Sequence, residues 1–238
     1  MSLAFKSQCK YWIASLMVKL GKLTHDDFTI EELNALVQPE LPTSVDLDIP
    51  VGTATVTVES GTVSLCEETN RIFFQAFTSM QVAVANSVIY RAHVVVTLSA
   101  TPTYNVDDKR VSLTHTAVES IQLVNDDYAL IKDTRFLLSK LVPGRLDSII
   151  GQSLKTALSL VTAGTSDTAA NYLSLYLSGS THAILNYHKP QITQAILRET
   201  DKLPLFHTMR DDVWREALFA RYGKQVGVAE NRLRFYLV

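Results

Sequence analysis

The sequence is poor in residues that break or cross-link a chain, with nine glycines, seven prolines and two cysteines among 238 residues. So little glycine and proline argues against a low-complexity or largely disordered chain. Hydrophobic residues make up 47% of the sequence, which is enough to build a sizeable core. Cys9 and Cys66 are expected to be free thiols, although a disulfide stays open for an exported chain because spacing alone does not decide it.

Long apolar runs and an excess of one charge sign are also missing. No apolar stretch approaches the ~18–20 residues that a membrane-spanning helix needs, so we expect no such helix. The net charge is −2, and both signs are mixed along the chain. Because there is no basic stripe and no strand that combines aromatic with basic residues, we expect no nucleic-acid partner.

The N-terminal segment has an apolar stretch at residues 11–18, preceded by Lys6 and Lys10. This arrangement is weakly similar to a signal peptide, but the stretch is short, Lys19 interrupts it, and no cleavage site of small residues follows. We therefore interpret it as an amphipathic helix, and no export signal is visible.

A capping box predicts a short helix that ends near Val37. Thr29 is a suitable N-cap and Glu32 follows three residues later, so each side chain can accept a hydrogen bond from the other residue's backbone N–H. Pro39 and Pro42 then end the helix, because proline has no backbone N–H donor.

From Val45 onward the apolar residues recur at every second position, which is typical of β-strands. Ser60 and Gly61 are expected to turn the chain within this region. Strands are predicted at residues 45–51, 54–59, 71–78, 82–88, 89–104 and 110–124. Because turns but no helices separate them, the strands are expected to form an antiparallel sheet, and the longest are expected to curl.

The two longest predicted strands each have one apolar face, because alternate side chains of a strand point the same way. The first strand places on that face Ala92, Val94, Val96, Leu98 and Ala100. The second places there Val111, Leu113, Ala117, Ile121 and Leu123, with His115 as a polar interruption.

After residue 127 the apolar period becomes helical. A wide apolar stripe over residues 130–161 predicts a long helix, which Pro143 and Gly144 must break or kink. Further helices are expected at residues 168–177, from His188 to about 199, and at 213–222. Residues 210–212 are expected to cap the last of these helices. A final strand is expected at residues 233–237. We predict an α+β fold over one domain, residues 1–238: a long, strongly curved antiparallel sheet wrapped on a long Pro-kinked helix, with extra C-terminal helices.

The sequence contains no recognisable catalytic constellation. No histidine lies at metal-ligand spacing with another ligand, and there is no Gly-x-Ser-x-Gly elbow or phosphate-binding glycine loop. His115 and Glu119 share a strand face but lie ~13 Å apart, too far for a proton relay. The paired aspartates are explained by turns and helix caps. We therefore expect a non-enzymatic protein with no metal and no cofactor.

An apolar crevice between the sheet and the long helix is the remaining candidate site. Gly151, Ser153 and Ala157 would keep the helix surface shallow enough to leave room for an acyl chain. The predicted lining residues are Val94, Val96, Leu98, Leu113, His115, Ile121, Ile150 and Leu154. Complete packing of the same residues into an ordinary core is the alternative, and His115 is then a hydrogen-bonded core histidine rather than an anchor for a ligand headgroup.

Several stretches in order resemble the YceB-like lipoproteins of Gram-negative bacteria, a family of unknown function. They are residues 28–34, 70–74, 94–104 and 111–113, the helix containing Leu141-Val142-Pro143, and residues 204–206, 226–228 and 232–235. The chain departs from the family in two respects. The lipobox cysteine is missing, since Cys9 does not supply it, and residues 162–202 look like a helical insertion.

The resemblance implies one half of the tubular lipid-binding fold, an apolar ligand, no catalysis, and a periplasmic or outer-membrane-associated location, with the cytoplasm left open. It assigns no functional residue. Three hypotheses therefore compete: a binding protein for a lipid or other apolar molecule, a structural protein of the envelope that has a protein partner and a dry core, and an enzyme whose base would be His115.

Overall fold

The computed structural model describes residues 2–84, 87–127, 171–172, 174–176 and 180–237. The predicted α+β class is confirmed, and so is the curved antiparallel sheet. The predicted Pro-kinked helix at residues 130–161 lies outside the described residues. Among the described residues, no helix combines the length and the hydropathy that a membrane crossing requires.

Four helices are complete within the described residues: α1 (Ser2–Lys19), α2 (Ile30–Val37), α3 (Thr181–Lys202) and α4 (Trp214–Tyr222). Residues 171–172 and 174–176 are also helical. The described strands are β1 (His25–Phe28), β2 (Thr43–Leu47), β3 (Thr53–Cys66), β4 (Arg71–Val84), β5 (Ser87–Asn105), β6 (Arg110–Asp127), β7 (Phe206–Thr208), β8 (Gln225–Ala229) and β9 (Arg232–Tyr236). A short 3₁₀ turn, Gln38–Glu40, follows α2.

The large sheet has six antiparallel strands in the order β2-β3-β4-β5-β6-β7. It curls into a half-barrel around α3. Thr181 of α3 donates to Asp126 at the end of β6, and Arg198 of the same helix pairs with Asp48 just after β2. One helix therefore contacts two strands that have three others between them in the sheet, which requires the sheet to bend.

The expected turn at Ser60 and Gly61 is wrong, because β3 runs through both residues as one strand with a bulge between Val58 and Ser60. A Cβ on Gly61 would lie 2.1 Å from the Phe74 ring of the neighbouring strand. The glycine is thus needed for close approach of an aromatic side chain and not for a turn. The separate strand predicted at residues 82–88 is also wrong, since residues 82–84 are the end of β4 and residues 87–88 are the start of β5.

Bulges explain why the predicted inner face of β6 is right at its ends and wrong in the middle. The register of β5 with β6 shifts between Thr97 and Leu98 and again between Ser99 and Thr101. Each shift adds one unpaired residue to β6 and exchanges its two faces. Val118 is therefore opposite Leu98, where strict alternation would place Ala117. The two shifts cancel, so the positions of Leu113 and Ile121 keep the predicted parity.

The predicted inward orientation of His115 is wrong. His115 lies in the second shift, has a positive φ of 52°, and its side chain is exposed. A positive φ turns the side chain out of the alternation that a regular strand would impose.

Helix α3 begins at Thr181, whereas the sequence pattern predicts a start near His188. Ser180 caps it by accepting from Ala183 N, and Pro190 lies inside it. An interior proline costs ~3 kcal/mol. Burial of Ile184, Leu185 and Ile192 against the sheet contributes about 1.5–3 kcal/mol for each side chain, which outweighs that cost.

A small antiparallel sheet, in the order β1-β9-β8, packs with α1 and α4 to form a second core. Its buried members are Ala14, Val18, Leu218, Phe219, Val226, Leu233 and Leu237. The sequence pattern missed β1, β7 and β8, which are only three to five residues long. The capping box of α2 is confirmed, with Glu32 N donating to Thr29 and Thr29 N donating to Glu32.

The long strands belong to both cores. Ile72, Tyr104 and Val111, from β4, β5 and β6, pack against the second core. The opposite ends of the same three strands carry members of the first core, among them Met80, Val94 and Ile121. The two cores are therefore built on one continuous set of strands.

Asn70 joins the two sheets and yields a test of this arrangement. It has a positive φ of 51°, and its side-chain oxygen accepts from Val228 N at 2.8 Å. We expect Asn70→Gly, which keeps the backbone freedom and removes the acceptor, to lower the free energy of unfolding by about 1–2 kcal/mol. Asn70→Ala must also adopt the left-handed conformation at that position, so its free energy of unfolding should fall further than that of Asn70→Gly.

Asn70→Asp is the matched control, because it keeps the acceptor oxygen and should stay close to the wild type in urea unfolding. Equal stability of Asn70→Gly and the wild type would show that the hydrogen bond does not hold the sheets together.

Candidate ligand-binding groove

Most of the predicted lining residues of the large sheet lie in the first core. Val94, Val96 and Ile121 are buried there, and Leu98 packs against them. Leu113 is half-buried further along β6, where its backbone N–H donates to Leu205. His115 is exposed and takes no part in this core. Ile150 and Leu154 lie outside the described residues.

Helix α3 and two tyrosines fill the hollow side of the half-barrel within the described part of the chain. Ile184, Leu185 and Ile192 pack into the same cluster as Val94 and Val96. Tyr172 and Tyr176, which precede α3, are also buried in it. These side chains occupy the inner face that the sequence pattern assigns to a ligand.

A polar cluster lies inside this core. The Tyr176 hydroxyl and His188 Nε2 are 2.5 Å apart, and the hydroxyls of Tyr172 and Tyr176 are 2.8 Å apart. Burial raises the pKa of Tyr176 and of Tyr172. Burial also lowers the pKa of His188 to about 4 from its ordinary 6.5. His188 is therefore a neutral imidazole at pH 7, held by its neighbours as a structural group.

An open groove of about 420 Å³ lies at the second core, between β1, α2, β9 and α4. Its volume falls in the range of small-molecule sites. Eight of its lining residues are apolar: Phe28, Leu33, Leu36, Val111, Met209, Phe219, Leu233 and Phe235. The other five described lining residues, which we call the rim, are charged or ionisable: Asp26, His207, Arg210, Arg215 and Glu216. We call this space the apolar groove.

Arg215 and Asp26 form one side of the rim. Arg215 Nε and one of its terminal nitrogens donate to the two Asp26 oxygens, at 2.7 and 2.8 Å. The guanidinium also lies 4.6 Å from the centre of the Phe28 ring. A bidentate pair with a cation–π contact holds the arginine side chain in one orientation.

Glu216 organises the other side of the rim. Its Oε2 accepts from Arg210 N at 2.8 Å and lies 2.8 Å from His207 Nε2, and its Oε1 lies 3.3 Å from an Arg210 guanidinium nitrogen. Burial alone would raise the pKa of Glu216, but the hydrogen bonds from His207 and Arg210 outweigh it and lower the pKa. Glu216 is therefore ionised and committed to protein partners.

The expected cap at residues 210–212 is wrong. The N-cap of α4 is Val213, and it makes no side-chain capping bond. Glu216 instead reaches back from the first turn to the Arg210 backbone. The sequence gives little sign of this, because the Glu216 contact follows from how the segment after β7 meets α4.

The chemistry of the groove is that of apolar contact. Among the described residues that line it there is no serine, threonine, cysteine or lysine. Nor do the described residues contain a group of three or more histidine, cysteine or acidic side chains that could hold a metal ion. A larger cavity, about 1010 Å³, lies between α1 and α4, and more than half of the described residues that line it have polar or charged side chains, including Lys109, Asp211 and Arg221.

The sequence reasoning missed this groove. Its apolar residues come from six separate segments, and each segment contributes only one or two of them, too few to mark a site. The available signals were Phe28 beside the capping box of α2 and the alternating Leu233 and Phe235, which predicted a strand but not its partner.

Neither a scan against protein-family models nor a search of the curated proteins finds a match for this chain. The resemblance to the YceB-like lipoproteins therefore stays a prediction.

The buried His188 predicts a pH dependence of stability. Its native pKa of about 4 lies below the ordinary 6.5, so the unfolded chain binds a proton more readily. The stability linked to His188 is complete above pH 6.5 and is lost as the pH falls towards 4, by about 3 kcal/mol. When the pH is lowered from 7 to 4, the free energy of unfolding of His188→Gln, measured in urea, should fall by about 3 kcal/mol less than that of the wild type.

His182→Gln is the control, because His182 is exposed on the same helix. Its free energy of unfolding should fall by the same amount as that of the wild type when the pH is lowered, since both proteins keep the buried His188 and the same carboxylates. If His188→Gln loses as much stability as the wild type over this range, the burial of a neutral His188 is refuted.

Proposed function

We propose that this protein is a non-enzymatic binding protein that holds a lipid or another apolar molecule in the apolar groove. The observation that carries the proposal is the contrast between the floor and the rim of the groove. By the floor we mean the eight apolar lining residues, which are all aliphatic or aromatic. The charged or ionisable residues of the rim are already paired with one another.

The floor supplies the affinity. Each CH₂ group that leaves water for such a surface contributes about 0.8 kcal/mol. A chain of several methylene groups can therefore bind without any specific polar contact. Leu36 is 66% exposed at the mouth of the groove, so the protein leaves an aliphatic side chain in water where a ligand would cover it.

The rim supports binding without catalysis. Asp26 and Glu216 are each held by an arginine, so neither carboxylate is available as a general base. His207 is engaged by Glu216, and the described lining of the groove contains no nucleophilic hydroxyl, thiol or amine. The ligand's headgroup would remain at the solvent side of the rim.

The location of the protein is part of the proposal. A binding protein of this kind, in the cell envelope, is what the resemblance to the YceB-like lipoproteins implies. The alternative is a structural protein of the envelope that leaves the groove without a ligand, and the binding experiment below distinguishes the two.

Leu36→Glu tests the groove directly. We expect a dansyl-labelled undecanoic acid to bind the wild type with a blue-shifted fluorescence. A carboxylate at the mouth should weaken this binding at least about tenfold, because it removes an apolar contact worth more than 1.4 kcal/mol and repels the fatty acid. Because Leu36 is exposed, we expect the variant to keep the fold, and urea unfolding of the variant checks this.

Leu203→Glu is the matched control, since Leu203 is 61% exposed and does not line the groove. It should bind the probe as the wild type does. Equal binding by Leu36→Glu would place the ligand elsewhere. No probe uptake by the wild type, together with an organic extract free of lipid by mass spectrometry, would favour the structural alternative.

A further inference from the structure

Helix α1 is apolar on two faces, and only one of them is packed. Ala14 and Val18 are buried in the second core, next to Leu218 and Phe219 of α4. On the other side Trp12, Ile13, Leu16 and Leu20 are 70%, 62%, 58% and 61% exposed. Residues spaced by four on a helix are neighbours, and Leu20, the residue after α1, continues the last turn because its N–H donates to Leu16 O. Trp12, Leu16 and Leu20 therefore form one row. We call these four residues, with Met17, the outer face of α1.

Such a row of large exposed side chains marks an interaction surface, because a soluble monomer seldom leaves so much contiguous apolar surface in water. Packing within the described protein does not account for this face, since four of its five residues are more than half exposed. Met17 at its edge is 38% exposed, and Ile13 and Met17 also line a cavity of about 300 Å³ between α1 and α4.

The charged residues of α1 itself and of the turn after it all have one sign, although Asp26 also lines the small cavity beside Ile13 and Met17. Lys6, Lys10, Lys19 and Lys22 are exposed along α1 and the turn after it. No aspartate or glutamate occurs before Asp26, although the whole chain has a net charge of −2. The N-terminal helix is therefore a positive segment on a slightly negative protein.

We propose that the outer face of α1 docks this protein on an anionic lipid surface, with the helix axis parallel to that surface. Apolar residues would enter the boundary between headgroups and acyl chains, and lysines would contact the anionic headgroups. Trp12 has the amphipathic ring that is favoured at this depth. The helix is ~27 Å long at 1.5 Å per residue, which allows several lipids to be contacted at once.

The same charges argue against the two other occupants of an apolar helix face. In a symmetric pair of copies, each outer face would bring its four lysines against those of its partner, and like charges so placed oppose association. A protein partner would need a matching acidic rim around an apolar groove. A lipid bilayer with anionic headgroups supplies both the apolar layer and the negative charge.

This proposal does not depend on the apolar groove. The lining residues of the groove belong to β1, α2, β6, β9, α4 and the segment 207–210, and none belongs to α1. The Leu36→Glu variant should therefore bind vesicles as the wild type does, so that failure of one proposal leaves the other standing.

Flotation with vesicles is the first measurement. The full chain should float with vesicles of phosphatidylcholine and phosphatidylglycerol and should bind weakly to phosphatidylcholine alone. The chain has two tryptophans, Trp12 and Trp214, so Trp214→Phe leaves Trp12 as a reporter. Its emission should shift to the blue when the mixed vesicles are added, because the ring leaves water.

Two variants separate the apolar and the electrostatic contributions. Ile13→Glu combined with Leu16→Glu should abolish flotation, with the fold intact because both side chains are exposed. Neutralising Lys6, Lys19 and Lys22 to glutamine should weaken binding about fivefold for each lysine at low salt and remove most of the salt dependence. Lys10 is left in place because it lies over the Trp214 ring. Val106→Glu combined with Leu203→Glu is the matched control, at two exposed apolar sites far along the chain.

Three outcomes would overturn the proposal. The first is that the wild type does not float with the mixed vesicles. The second is that the Ile13→Glu, Leu16→Glu variant floats as well as the control variant. The third is concentration-dependent self-association of the wild type, seen by analytical ultracentrifugation, that the variant loses without any vesicle binding, which would assign the face to a second copy of the chain.

Discussion

The length of β4, β5 and β6 is the constraint on which the rest of the structure depends. At ~3.3 Å per residue, the 19 residues of β5 span about 60 Å, which is more than one core can cover. One end of each strand therefore packs under α3 and the other end packs with the small sheet. Bulges bend the strands between these ends and allow the sheet to curl.

The two ends of these strands differ in how completely they are covered. Under α3, described side chains pack against the hollow face of the sheet. The hydroxyls of Tyr172 and Tyr176 and the Nε2 of His188 lie within this core and are within hydrogen-bonding distance of one another. At the other end, short elements meet at angles and leave the apolar groove between them. An open apolar space is costly unless something occupies it, which is the physical basis for proposing a ligand there.

Much of the architecture follows from local patterns. The period-two alternation predicted the antiparallel sheet, and the capping box predicted α2 to within a residue. Where the prediction failed, a contact distant in sequence overrode a local signal. Gly61 stays in a strand because the Phe74 ring covers it, and Pro190 stays in a helix because apolar side chains on either side of it are buried by the sheet.

The sequence by itself determined the α+β class, the long hairpin of β5 and β6 and the absence of a recognisable catalytic motif, because each depends on residue type and spacing along one segment. Only the tertiary structure decided where the open apolar space lies and which way His115 faces. A bulge exchanges the faces of a strand without leaving a mark in its composition. The groove likewise exists only where six separate segments come together. Tertiary packing, and not the sequence of any one segment, decides how they come together.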